Sequence, residues 1–262
     1  MKHQREKIVF LGAGNMATML AVALHEKGCE ILQVYSRTLD SARQLANRIG
    51  EHTLYTNSVS EVLPDADLYI FSLSDNALPE VIHEMKPNKA LWVHTAGSMP
   101  MDVFAGKCVR YGVLYPMQTV SKERDIDWCD VPIFIEAANE DDTQYLLALS
   151  QKLSRNVRCS NSQQRESLHL AAVFACNFAN HMYAIAEKLL QQQGLDFDVM
   201  KFLRRETELK AESISPRKGQ TGPAVRNDRN VMSKHLALLG ETAEAEMYRL
   251  ISESIQKYKS EQ

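Results

Sequence analysis

Short apolar runs recur along the first part of the chain, each followed by a segment with helical spacing. Ile8–Gly12, Glu30–Tyr35, His52–Tyr55, Asp67–Ser72 and Ala90–His94 read as buried strands. Met16, Leu20, Ala23 and Leu24 follow a 3.6-residue period, and helices are predicted over Asp40–Ile49 and from near Asp75. Val59–Leu63 forms a brief helical turn before Pro64. Val109–Tyr115, Val131–Ala137 and Asn156–Cys159 add strands, with a helix at Asp141–Leu153. Such alternation predicts an α/β fold with a doubly wound, mostly parallel sheet.

Near Cys159 the pattern changes. Gln163–Gln193 contains neither Gly nor Pro; Leu168, Ala175, Met182 and Leu189 form one helical line, flanked by Ala171, Phe178 and Ile185. A helix of about 30 residues spans ~45 Å, the length of a connecting or dimer-forming helix. Further helices are expected at Asp198–Ser213, Asp228–Leu239 and Glu241–Lys259, with the loop SPRKGQTGPAVRND among them. The expected division is residues 1–159, α/β, and 160–262, all-helical, the second carrying a substrate cleft and the contact of a homodimer.

Composition narrows the partners. The 262 residues are 45% hydrophobic and 24% charged, with net charge −3, an ordinary balance for a globular protein. That charge gives no electrostatic footprint for nucleic acid or an anionic membrane, and no apolar run reaches the ~18 residues of a membrane span. Five scattered cysteines without C-x-x-C spacing point to reduced thiols in the cytoplasm and to no metal site. A basic start and Ala21-Val22-Ala23 have the look of a signal peptide, but Gly12–Asn15 interrupts its apolar stretch.

The first strand runs into Gly12-Ala13-Gly14-Asn15-Met16-Ala17, a G-x-G-x-x-A turn that opens a helix. Gly12 allows the tight turn, Gly14 lets a pyrophosphate approach the backbone, and Ala17 permits close helix–strand packing. The diphosphate would sit on the positive helix N-terminus. Strand–turn–helix order makes this a Rossmann-type dinucleotide site. The second strand ends in Ser36-Arg37-Thr38, where NAD-selective folds usually place Asp or Glu. Two hydroxyls and a guanidinium suit the 2′-phosphate of NADP; Ser36 or Thr38 also suits an N-cap for the next helix. Other loops expected at the carboxyl edge of the sheet, Ser72–Asn76, His94–Ser98 and Tyr115–Thr119, hold Ser72, Leu73, Ser74 and Asn76, then Thr95, then Tyr115 and Met117. The first five are expected along the cofactor, Tyr115 and Met117 beside the substrate.

Candidate chemistry lies on the long helix. At about 100° per residue, Glu166, His169, Asn177 and Asn180 share an arc of roughly 80°, with His181 on the same flank. No lysine occurs between Lys152 and Lys188, so the stripe reads as buried or cleft-facing. His169 and Asn177 are candidates to polarise or protonate a substrate, Asn180 to contact it; interhelical hydrogen bonding is the other reading. His94, ending the fifth strand, is either a proton donor or a structural histidine. In the late loop Asp228 reads as a helix cap, while Thr221 and Arg226 are candidates to bind an anionic substrate.

GAGNMA with SRT after the second strand resembles the NADP-binding domain of pyrroline-5-carboxylate reductases and of deazaflavin-dependent NADP reductases. HTAGS, YPMQT, LHLAAVFACNFANH and TGPAVRNDRNVMSKHL resemble bacterial oxidoreductases that join a Rossmann-like domain to a helical domain of unknown function. The resemblance implies a C-terminal domain like that of the 6-phosphogluconate dehydrogenase superfamily, often the dimer contact. Hydroxyacid dehydrogenases of that superfamily carry a Lys four residues before the helix Asn; here Val173 precedes Asn177. A PGGT-type loop of the pyrroline-5-carboxylate reductases is replaced by TGPAVRND. The expectation is an NADP-dependent oxidoreductase acting on a small C=O or C=N compound in the interdomain cleft. Rivals are a non-catalytic NADP-binding sensor or partner-binding protein, and an enzyme with a deazaflavin partner.

Overall fold

A computed structural model describes residues 5–120 and 126–260. The chain forms two compact units, Met1–Asn177 and Phe178–Gln262. In the first, β1 (Lys7–Leu11), β2 (Glu30–Tyr35), β3 (Leu54–Thr56), β4 (Leu68–Phe71), β5 (Leu91–His94), β6 (Tyr111–Pro116), β7 (Ile133–Ala137) and β8 (Val157–Cys159) make one eight-stranded sheet. Its order is β3-β2-β1-β4-β5-β6-β7-β8. Strands β1 to β6 are parallel; β7 runs antiparallel to β6, and β8 parallels β7. Helices α1 (Asn15–Glu26), α2 (Leu39–Ile49), α3 (Ala77–Glu84) and α4 (Glu140–Gln151) connect them. This is the Rossmann-type fold expected from the alternation of apolar runs.

Strands β1, β4 and β5 are buried almost throughout because both faces of the parallel sheet are covered. Leu20 and Leu24 of α1 join Ile8, Phe10 and Leu68 in one core. The other face holds Tyr69, Phe71, Trp92 and Phe104, the last supplied by a 3₁₀ turn at Met101–Phe104 that the sequence pattern did not reveal. The order reverses between β1 and β4, the crevice where doubly wound sheets take ligands. Register aligns Leu11 with Phe71 and Phe71 with His94, so the loops that follow share one edge.

After β8 the chain is helical from Ser162 to Gln191: α5 (Ser162–Ala172), a π-helical stretch (Val173–Phe178) and α6 (Ala179–Gln191). The change of sequence pattern falls at residue 159, whereas the division by compactness falls at 177. The difference has a physical source, since α5 is fastened to the sheet. Arg165, fully buried, pairs with Glu136 of β7 and donates to the Met99 carbonyl at 2.6 Å. Ser162 Oγ donates to Glu136 at 2.9 Å.

The second unit consists of α6, α7 (Lys201–Ser213), α8 (Pro216–Gly219), α9 (Arg229–Leu239) and α10 (Ala243–Ser260). Lys188 and Glu244 join α6 to α10 at 2.6 Å, and Arg204 lies over the rings of Tyr183 and Phe197. Among its described residues only Ala224, Ala245 and Ser252 are buried.

Candidate functional site

The glycine turn is shaped by the approach of two strand ends. Gly12 has φ +119°, and a Cβ there would stand 2.1 Å from the Ser72 carbonyl oxygen. Its N–H donates to Tyr35 O at 2.7 Å, tying the turn to β2. Gly14 is the N-cap of α1 and supplies no side-chain cap; no acidic residue lies in the first turn. A Cβ on Gly14 would meet nothing within 4 Å. The open space over an uncapped helix N-terminus is an anion cradle. Ala13 and Ala17 are buried below it and Met16 is half-buried, while exposed Asn15 donates from Nδ2 to Val120 O at 3.1 Å.

At the end of β2, Arg37 and Thr38 are exposed and Ser36 half-buried. Thr38 occupies the N-cap position of α2, but its hydroxyl donates to Ser41 Oγ at 2.8 Å, so neither it nor Ser36 caps the helix through its side chain. The nearby carboxylate of Asp40 is engaged by Arg43 at 2.6 Å. Ser36, exposed Arg37, Thr38 and Ser41 thus stand on the turn from β2 to α2, where the sequence predicts the adenosine ribose.

The β4 and β5 loops are laced together. Thr95 Oγ1 donates to Ser72 Oγ at 3.0 Å, and Ser98 donates to the Asp75 carboxylate. Leu73 packs on the core; the Ser74 carbonyl accepts from Ala77 and Leu78. Asn76 is the N-cap of α3, without a side-chain bond to it.

His94 has the contacts of the structural histidine, one of its two expected readings. It is fully buried, stacked 5.7 Å from Phe104, and both ring nitrogens are occupied by backbone: Nδ1 accepts from Ala96 N–H at 3.2 Å, and Nε2 faces Pro100 O at 3.3 Å. Since an amide N–H can only donate, Nε2 carries the proton. Burial, with the Arg165 cation nearby, pushes the pKa down to about 4. The ring is a neutral strut holding the loop after β5, without an open position for a substrate proton.

The group that reaches outward is His169. It lies on α5, half-buried, with Nδ1 3.2 Å from the Tyr115 hydroxyl. Its ring rests on Gly97, where a Cβ would come within 2.7 Å of Cγ and Nδ1. Tyr115, with Val113, Phe134, Met101, Met117 and Leu168, forms an apolar setting for the phenol. Burial raises the Tyr115 pKa, opposed by the Arg165 charge. The structure therefore gathers Tyr115, Met117 and His169 with Gly97, Ser98 and Asp75 of the loops expected at this edge, and adds Arg165, Glu136 and Ser162, which the sequence pattern does not point to. A carboxylate interrupting the apolar run Val131–Ala137 was the available signal for Glu136; no spacing rule joins it to Arg165.

The rest of the stripe departs from its expected burial. Glu166, Asn177, Asn180 and His181 are exposed. The π-helical stretch turns less per residue than an α-helix, so Asn177 and Asn180 do not continue the arc of Glu166 and His169. In the second unit, Asp228 caps α9 by accepting from Val231 N–H at 3.2 Å, as the capping reading expects. Arg226 is exposed; Thr221 borders a cavity of about 250 Å³ with Met182, Leu189, Met247 and Ile251.

The model for shikimate/quinate 5-dehydrogenase matches residues 1–95, and that for a domain of unknown function (DUF2520) matches residues 131–255. The crystal structure of putative NADP oxidoreductase BF3122 from Bacteroides fragilis is 49% identical, with TM-score 0.92 over 97% of this chain and 98% of that one. The chain belongs to the family of that protein. Within the same fold lie a reductive aminase from Aspergillus terreus, in complex with NADPH and ethyl levulinate, at TM-score 0.73 and 16% identity (98% and 95% of the chains). A pyrroline-5-carboxylate reductase from Coxiella burnetii matches at TM-score 0.59 and 18% identity, covering 98% of each. Glutamyl-tRNA reductases of Idiomarina loihiensis and Stutzerimonas stutzeri are 33% and 35% identical over 78 and 107 residues, matching only 18% and 25% of those enzymes. No described helix is long and apolar enough to cross a membrane.

Proposed function

We propose that this chain is an NADP-dependent oxidoreductase that reduces a small compound at a C=O or C=N bond. The observation that carries the reading is the half-buried His169, hydrogen-bonded to Tyr115 at the sheet edge that also holds the glycine cradle. The backbone of Gly12–Met16 binds the diphosphate, with Gly14 leaving room for it. Ser36, Arg37 and Thr38 take the 2′-phosphate, where guanidinium and hydroxyl donors replace the carboxylate of an NAD site. Ser72–Asn76 and Thr95 line the path towards the nicotinamide. NADPH supplies the hydride when bound; the protein positions the acceptor and manages its proton. His169 provides the donor to the substrate heteroatom, and Met117 the apolar wall beside it.

The NADP oxidoreductase of Bacteroides fragilis and the NADPH-bound reductive aminase support this reading. A homodimer through the helical unit is part of it. Phe202 (79% exposed), Leu238 (85%) and Leu250 (66%) are exposed apolar side chains of the kind a second copy would cover. The experiment is NADPH binding by fluorescence, with NADPH consumption over a panel of small carbonyls and imines. Binding with consumption on at least one compound is expected; binding without consumption across the panel would leave a cofactor-binding protein and defeat the enzymatic reading.

A further inference from the structure

We infer that Tyr115 and Gly97 are positioning residues that hold the His169 imidazole with Nδ1 as acceptor and Nε2–H turned outward as donor. The inference rests on the reading of His169 as the group that meets substrate. Three observations carry it.

Tyr115 is buried, and its hydroxyl has one partner among the described residues, His169 Nδ1 at 3.2 Å. The side chains packed around it, Val113, Phe134, Met101, Met117 and Leu168, offer no good acceptor. A buried O–H needs an acceptor, so the phenol donates and Nδ1 accepts. Were the proton on Nδ1 instead, the phenol hydrogen would have no acceptor among the described residues. In a neutral ring the remaining proton then sits on Nε2.

The ring is also seated from behind. Gly97 lies so close that a Cβ would stand 2.7 Å from Cγ and Nδ1 of His169, and the Tyr115 ring meets the imidazole edge-on, with centroids 6.2 Å apart at 72°. One turn earlier on α5, Arg165 is clamped by Glu136 and by Met99 O at 2.6 Å, so the helix carrying His169 is fixed as well. Nε2 has no partner among the described residues.

The consequence is a substrate preference. An outward N–H pairs with a lone pair, which a carbonyl oxygen or an unprotonated imine nitrogen offers; a protonated iminium nitrogen has none. The site thus favours a neutral carbonyl or imine over a protonated iminium.

The test is a two-bond ¹H–¹⁵N correlation spectrum of histidine-labelled, full-length protein above neutral pH, with the His169 signals assigned by their loss in His169→Gln. Expected are a pyridine-type Nδ1 and a pyrrole-type Nε2 in the unmodified protein. In Tyr115→Phe and Gly97→Ala the pattern shifts towards an average of both tautomers. An Nδ1–H form or an averaged ring in the unmodified protein overturns the inference, as does an unchanged pattern in both folded variants. If a variant does not fold, the unmodified spectrum still decides. The spectrum is read without cofactor or substrate, so it can fail while NADPH binding and consumption succeed, and the reverse.

Discussion

The Tyr115 hydroxyl and His169 Nδ1 meet at 3.2 Å, joining β6 to α5 across 54 residues of sequence. If this pair handles the substrate proton, His169→Ala should lower NADPH consumption by about 10²- to 10⁴-fold, the usual worth of a positioned acid–base group. NADPH affinity should stay within about twofold, since the cofactor's phosphates lie on the glycine turn and the β2 end. Parallel turnover and fluorescence titrations check this; a His169→Ala protein of full activity would remove the residue from the mechanism.

How far the sequence carried the description depends on the kind of contact. All eight strands and the glycine turn were legible because apolar runs and G-x-G-x-x-A are local signals. Asp228 was legible as a cap for the same reason. Gly97, Arg165 and Glu136 were not, because their roles come from side chains meeting across the sheet and α5, and no spacing encodes that. In the sequence His94 and His169 each carry two readings, one chemical and one structural. What separates them is that backbone groups engage both nitrogens of His94, while His169 has one nitrogen tied to Tyr115. Of the stripe from Glu166 to Asn180, His169 is half-buried while Glu166, Asn177 and Asn180 are exposed, and the π-helical stretch at Val173–Phe178 was not announced by the residue types.

Gly12 and Gly14 should respond differently to alanine. At Gly12 the Cβ would lie 2.1 Å from the Ser72 carbonyl oxygen, on a backbone at φ +119°. Gly12→Ala is therefore expected to destabilise the fold by roughly 2–4 kcal/mol or more, through overpacking and strain. Gly14→Ala meets open space and should keep the native melting temperature within a few degrees, while losing NADPH affinity at least about tenfold because the methyl fills the phosphate cradle. Thermal unfolding and fluorescence titration of both proteins separate the two effects. Equal melting temperatures would contradict the close approach of Gly12 to Ser72.

Arg37 governs the choice of cofactor in this reading. A charge-assisted hydrogen bond to a phosphate contributes about 1.5–3 kcal/mol, so Arg37→Ala should weaken NADPH binding by roughly 10- to 100-fold. NADH lacks the 2′-phosphate and should bind the variant as it binds the unmodified protein. Competition titrations with both nucleotides measure the ratio; equal losses for the two would show that Arg37 does not read the 2′-phosphate.

His94 should leave a mark on stability against pH. Its pKa is pushed from 6.5 down to about 4 in the folded chain, chiefly by burial. Between those values the unfolded chain binds a proton that the folded chain refuses, so protonation favours unfolding. The native state keeps its full His94 contribution above about pH 6.5 and loses it as pH falls towards about 4, an order of 3 kcal/mol in all. Urea unfolding across that range should show the slope, and His94→Gln should flatten it while lowering stability at neutral pH. A slope unchanged in His94→Gln would assign the acid sensitivity to other groups.

The helical unit supplies the last prediction. Val199 and Leu203 are each 60% exposed beside Phe202, and Leu170, Phe174 and Phe178 are exposed along the helical run from Ser162 to Gln191. A unit with only Ala224, Ala245 and Ser252 buried among its described residues has a small core of its own. Association with a second copy would add the missing burial at about 25 cal/mol per Å² of apolar surface. Sedimentation at micromolar concentration should therefore show a dimer. Phe202→Glu combined with Leu203→Glu should raise its dissociation constant at least about tenfold, because two carboxylates would lose their hydration in an apolar contact. A monomer throughout the micromolar range in the unmodified protein would refute the dimer. A dimer indifferent to both substitutions would place the contact away from α7.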